Sequence, residues 1–155
     1  RGNVDEENAK DMALQFLSDY VSRTAGHGTC LCFEPLGPKD TDFINSAHES
    51  LELVRQINHP AFRVQLDAKA LAANDEQNLQ LFKDCAPWLV HYHANEPGFL
   101  ALGDSGEVDH VALGRYLTTI GYKGWVSIEQ RMLETITPID NVKRSISMLR
   151  KAYGA

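Results

Sequence analysis

Glu34, Asp67, His93 and Glu129 stand at or near the ends of four short apolar runs: TCLCFE (29–34), FRVQLDA (62–68), WLVHYHAN (88–95) and WVSIE (125–129). Three carboxylates and one imidazole make a mostly oxygen donor set. Hard divalent ions take such ligands, so Mn²⁺ or Mg²⁺ is expected, with Co²⁺ and Zn²⁺ as further candidates. A structural zinc site would draw on thiolates, and these four positions offer none. Bringing three carboxylates together without a cation is costly through mutual repulsion. That cost gives their convergence a chemical meaning. Taken singly, each of the four is better read as a structural polar residue; the inference rests on the set.

The hydrophobic pattern supplies the elements that would gather them. Residues 5–24 carry Ala9, Met12, Ala13, Phe16, Leu17, Tyr20 and Val21 at helical spacing, and Gly26 and Gly28 end the helix. The strand 29–34 follows. Thr41 or Asp42 then caps a helix bearing Ile44, Ala47, Leu51, Val54 and Ile57. Strand 62–68 leads to a helix over 75–85, and strand 88–95 leads through the loop 96–106 to a helix over 108–120. The turn Gly121–Gly124 enters strand 125–129, and Pro138 opens a last helix. The order is one helix, then four βα units. Strands alternating with helices predict an α/β fold with a parallel sheet, in one domain over 1–155. In such a sheet every C-terminal strand end lies at one edge, where α/β folds hold their sites.

Side-chain parity agrees. Cys30, Cys32 and Glu34 share one strand face, and Trp125, Ser127 and Glu129 share another. Leu31, Phe33, Val126 and Ile128 take the opposite faces, where helices would cover them.

The formal net charge of −6 argues against a nonspecific nucleic-acid partner, which needs a basic face. No apolar run approaches the roughly 20 residues of a membrane helix. Three cysteines without a CxxC pair predict reduced thiols in a cytoplasmic protein. The chain opens at Arg1 rather than Met, and a fragment boundary with residues upstream is the expectation.

GYKGWVSIE (121–129), preceded by LGDSGEVDHVALGRYL (102–117), resembles the end of the sugar phosphate isomerase/epimerase family, the xylose isomerase-like TIM barrels. CFEPL (32–36), LDA (66–68) and HYH (91–93) fall where that family keeps its other metal ligands. The resemblance implies that the four units are the C-terminal half of a (βα)₈ barrel. It implies Glu34, Asp67, His93 and Glu129 as ligands of a divalent ion, with Glu34 and Glu129 doubling as the acid/base pair. The implied reaction moves a proton beside a carbonyl, through an enediolate that the ion stabilises as a Lewis acid. The substrate would be a small sugar or sugar phosphate.

Departures accompany the likeness. Ala70 stands where ketose epimerases place a histidine, and Phe99 where they often place an arginine. Asp40 sits where a substrate-contacting glutamate is expected. Lys69, with Lys39, is a candidate for a phosphate or carboxylate on the substrate, or a solvated lysine. His91 and Asn95 are candidate substrate contacts; the alternatives are an inert interior histidine and a loop cap, and Glu96 carries the same two readings as Asn95.

A whole barrel takes about 250 residues, so a half leaves open edges. Self-association or a missing N-terminal half is expected to close them. The competing functions are a non-catalytic metal-binding or assembly fragment of such an enzyme and an inosose dehydratase-like lyase. An endonuclease IV-like phosphodiesterase, which needs a trinuclear zinc cluster with additional histidines and DNA-facing loops, fits this acidic chain less well.

Overall fold

Along the strand Phe62–Asp67, the side chains of Phe62, Val64 and Leu66 are fully buried while Arg63 keeps partial exposure. Gln65 and Asp67 are buried as well, so it is the alternation of side-chain direction, not of burial, that sets the two faces. One face is apolar and lies under helices. The other carries Cys32, Arg63, Gln65, Asp67, His91 and His93.

The computed structural model describes residues 1–132 and 137–154. The elements run α1 (Glu6–Thr24), β1 (Leu31–Phe33), α2 (Ala47–Ile57), β2 (Phe62–Asp67), α3 (Ala68–Ala73), α4 (Leu79–Cys85), β3 (Leu89–Asn95), α5 (His110–Thr119), β4 (Trp125–Glu129) and α6 (Pro138–Tyr153), with a 3₁₀ turn at Pro97–Phe99. All strand pairs are parallel, and the sheet order is β1-β2-β3-β4. The order never reverses, so the sheet winds in one direction. Right-handed crossovers then put the connecting helices, among them α2, α4 and α5, on the same face. This is the winding of a barrel rather than of a doubly wound sheet, and it leaves β1 and β4 as edges.

The core lies between that face and the helices. Leu51 and Val54 of α2, Leu81 and Phe82 of α4, and Leu113 of α5 are buried against Phe62, Val64, Leu66 and Tyr92. Phe82 sits edge-on to Tyr116, with ring centroids 5.4 Å apart. Outside the core, Met12, Phe16 and Tyr20 of α1 and Trp125 of β4 are exposed. Trp125, at 82 % exposure, stands on the uncovered face.

Three elements differ from the sequence reading, each for a local reason. The cap of α2 is Ser46, not Thr41 or Asp42: Ser46 and Glu49 form a reciprocal capping box, and Ile44 lies outside the helix with a left-handed φ of 50°. The helix expected over 75–85 begins at Leu79, because Asp75 takes a φ of 54°. Glu76 then turns inward and accepts hydrogen bonds from the backbone N–H groups of Ala47 and His48 (2.8 and 3.3 Å). A buried carboxylate thus caps α2 from 29 residues away. Finally, Asp67 caps a short helix, α3, that the sequence reading did not contain: its Oδ1 accepts from the Ala70 N–H at 2.8 Å.

α5 and α6 approach closely at Gly114. A β-carbon there would lie 1.9 Å from the carbonyl oxygen of Ala152, so a side chain forces the two helices apart. Gly114→Ala is expected to destabilise the protein by about 1–3 kcal/mol despite its gain in helix propensity. Urea unfolding of the two forms measures this, and an unchanged midpoint would contradict the packing described.

Candidate metal centre

Parallel pairing aligns the strand ends. Asp67 is registered with His93, and Asn95 with Glu129. Glu34 follows directly on β1. The four predicted donors therefore meet at one edge: each offers a ligand atom, and these atoms all lie within 4.8 Å of one another. His93 Nδ1 is 2.9 Å from Glu34 Oε1, 3.7 Å from Glu129 Oε2 and 3.8 Å from Asp67 Oδ2. His93 is thus the hub, on one of the two central strands, and the two glutamates reach in from the edge strands on either side.

Electrostatics mark the cluster as unbalanced. Burial pushes the Asp67 carboxyl up to about 7, and the nearby Glu34 charge adds to the rise against the hydrogen bonds from Ala70 and Asn95. Burial also opposes ionisation of Glu34, but the hydrogen bond and charge of His93 outweigh it and leave the group below the usual carboxylate range. The hydrogen bond to Glu34 raises His93 against its own burial, with the charges of Glu129 and Asp67 assisting. The imidazole is thus biased toward its cationic form, which offsets part of the carboxylate charge. The donor set fits a divalent ion: three hard oxygen ligands and one nitrogen, partly open to solvent at Glu129, whose side chain is 45 % exposed.

Other predicted residues surround this cluster. His91 lies two residues below His93 on the same strand face, its ring centroid 5.1 Å from that of His93. Burial and the charge of His93 lower its basicity. Asn95 is fully buried beneath the donors rather than exposed to a cavity. Its Nδ2 donates to Asp67 Oδ2 at 2.5 Å and to Glu129 Oε2 at 2.9 Å, and its Oδ1 accepts the Lys69 N–H at 2.8 Å. Asp40 and Lys69 pair with each other at 3.0 Å. The Lys69 ammonium also stands 4.4 Å from the centre of the Phe99 ring, a cation–π contact. Phe99, found where an arginine was expected, therefore supports a cation instead of supplying one. These three residues, with Lys39, line a rim cleft of about 520 Å³.

Some contributors escaped the sequence reading. Gln65 places its side-chain amide 3.1 Å from His93 Nδ1 and accepts a hydrogen bond from the Cys32 thiol at 3.2 Å; its parity with Asp67 was the available signal. Glu96, by contrast, was open to a loop-cap reading from the sequence, and it is fully buried and ties down the loop after β3. It accepts from the Gly103 N–H (2.6 Å) and the Ser105 hydroxyl, and pairs with His110 Nε2 at 2.9 Å. His110, given no role from sequence, in turn meets the Tyr153 hydroxyl at 2.7 Å. No local pattern announces that contact, because Tyr153 is 43 residues away.

Residues 1–152 match the family model of the xylose isomerase-like TIM barrel. The chain belongs to that family. A curated relative, the D-psicose 3-epimerase of Ruminiclostridium cellulolyticum, is 25% identical over 146 residues, which cover 93% of this chain and 50% of the relative. Among solved structures, L-ribulose 3-epimerase superposes with a TM-score of 0.87 at 16% identity, over 99% of this chain and 57% of that one. The IOLI protein with a binding zinc atom gives 0.76 at 17% identity, over 99% and 59%. The chain thus spans about half the length of the curated relative it matches, and its four parallel units form part of the xylose isomerase-like barrel. Among the described residues no helix is long and apolar enough to cross a membrane.

The raised Asp67 has a consequence for stability. Between its unfolded value of 3.8 and its folded value of about 7, the folded chain holds a proton that the unfolded chain has lost, so stability falls as pH rises. The raised His93 acts in the same direction above the ordinary imidazole range. In chelator, the melting temperature is expected to drop from pH 5 to pH 8, and to drop less in Asp67→Asn, which keeps the α3 cap. Calorimetry at the two pH values checks this; equal slopes in both proteins would remove Asp67 as the cause.

Proposed function

We propose that this chain carries the metal centre and acid/base pair of a sugar or sugar-phosphate isomerase or epimerase. The observation that supports this most is the approach of four donors from four strands to within 4.8 Å, in a chain of this family. In this reading Glu34, Asp67, His93 and Glu129 are the metal ligands, with Mn²⁺ or Mg²⁺ preferred and Co²⁺ or Zn²⁺ accepted. A divalent ion bound there supplies the positive charge that polarises a sugar carbonyl and acidifies the carbon beside it. Glu34 and Glu129 approach from the two outer strands, on opposite sides of His93. One takes the proton from that carbon, and the other returns a proton from the far side, which inverts the centre. Delivery to the neighbouring carbon would instead interconvert aldose and ketose. Asp67, the most buried of the four, anchors rather than transfers. His91 lines the substrate side of the sheet, and Asp40 with Lys69 meets the distal end of the sugar at the rim cleft.

The uncovered face bears on activity. β1 and β4 are edges, Trp125 is exposed, and the relatives are about twice as long. We propose that a second four-unit half closes this face, and that a second copy of the chain serves in its absence. Light scattering is expected to give roughly twice the 17.3 kDa chain mass; a monomer at high concentration would refute pairing and favour a metal-binding fragment of low activity.

The chemistry is tested by solvent deuterium exchange into D-fructose, D-psicose and their phosphates, with Mn²⁺ present. Glu129→Gln is expected to lower the exchange rate by about 10²–10⁴-fold. Full exchange by that variant would exclude Glu129 as the acid or base.

A further inference from the structure

We propose that Asn95 is the positioning residue of this centre: its side-chain amide sets the place of Glu129 and locks Asp67. The inference rests on the metal-centre reading above and deepens it.

Both N–H groups of the amide are spent on carboxylate oxygens that belong to two different predicted ligands, Asp67 Oδ2 and Glu129 Oε2. The orientation of the amide is chemically determined. Its Oδ1 receives the Lys69 backbone N–H at 2.8 Å. Rotating the amide by half a turn would set Oδ1 against two carboxylate oxygens and Nδ2 against an N–H donor. Both contacts would then be repulsive, so the amide has one viable orientation. The residue is fully buried and directly registered with Glu129 across β3 and β4, which leaves it no alternative partner in solvent.

The two carboxylates depend on it unequally. Asp67 has a second anchor, because its Oδ1 accepts the Ala70 N–H. Among the described residues, Asn95 is the one hydrogen-bond donor to Glu129, whose side chain is 45 % exposed. Without Asn95, Glu129 would regain rotamer freedom at the open side of the cluster, and ordering it would fall on the incoming ion.

An amide also suits this place where a lysine or arginine would not. It donates two hydrogen bonds without adding a positive charge. The carboxylates are therefore held apart and aimed while their attraction for a cation is kept. An ammonium at the same point would neutralise them and compete with the ion. Removal of groups that orient metal ligands costs about 10- to 100-fold in affinity, and that is the scale expected here.

Mn²⁺ titration by calorimetry, on the whole chain at one pH, tests the proposal. Asn95→Ala is expected to bind Mn²⁺ about 10- to 100-fold more weakly than the native chain. Asn95→Ser, whose single hydroxyl can donate to one carboxylate only, is expected to fall between them. The Asn95→Ala penalty should shrink when measured in a Glu129→Ala background, since residues acting through one another are non-additive. Melting curves in chelator report whether each variant is folded; if Asn95→Ala is not, the Asn95→Ser comparison carries the test in both backgrounds. An affinity for Mn²⁺ within about twofold of native in the folded variants, or the same penalty in both backgrounds, overturns the positioning role and leaves the centre standing. A native chain that binds no Mn²⁺ overturns the centre, and this role with it.

Discussion

Three carboxylates gathered around one imidazole, with ligand atoms within 4.8 Å, repel one another unless something positive stands among them, and the site is organised around that constraint. In the chain itself the repulsion is met by protons and neutral donors. Asp67 holds on to a proton up to about pH 7, His93 is drawn toward its cationic form, and the Asn95 and Gln65 amides fill the space between. None of these devices uses a lysine or arginine inside the cluster. The Lys69 ammonium is engaged instead by Asp40 and the Phe99 ring. A cluster that meets its own repulsion with exchangeable protons and neutral amides has a donor set that suits a divalent ion.

The fold serves this constraint by alignment. Parallel pairing in the order β1-β2-β3-β4 puts four strand ends at one height, and the alternation of side chains turns polar residues to the uncovered face. The apolar face is then free to pack against α2, α4 and α5. Binding and folding meet at single residues. Asp67 is both a predicted ligand and the cap of α3, and Glu96 ends β3 while pinning the loop that leads to α5.

The strand ends were legible in the sequence because they follow from period-two patterning, which is local. Glu34, Asp67, His93 and Glu129 could thus be set side by side without coordinates. Helix starts were less legible. Thr41, Asp42 and Ser46 are all chemically competent caps, and the choice was made by the left-handed turn at Ile44 and the reciprocal bond to Glu49. The polar contacts beneath the site were not legible. Asn95 reaches partners 28 and 34 residues away, and Glu76 caps a helix 29 residues upstream. Sequence spacing does not encode which of several buried amides and carboxylates will meet, since that depends on register across strands and on the bulge between Val64 and Gln65.

The direct test of the account is the anomalous difference map of a crystal soaked in Mn²⁺, recorded at the manganese edge. One strong peak per chain is expected between Glu34, Asp67, His93 and Glu129, at coordination distance from all four. A peak elsewhere, or a map with none while the four side chains stay together, would contradict it.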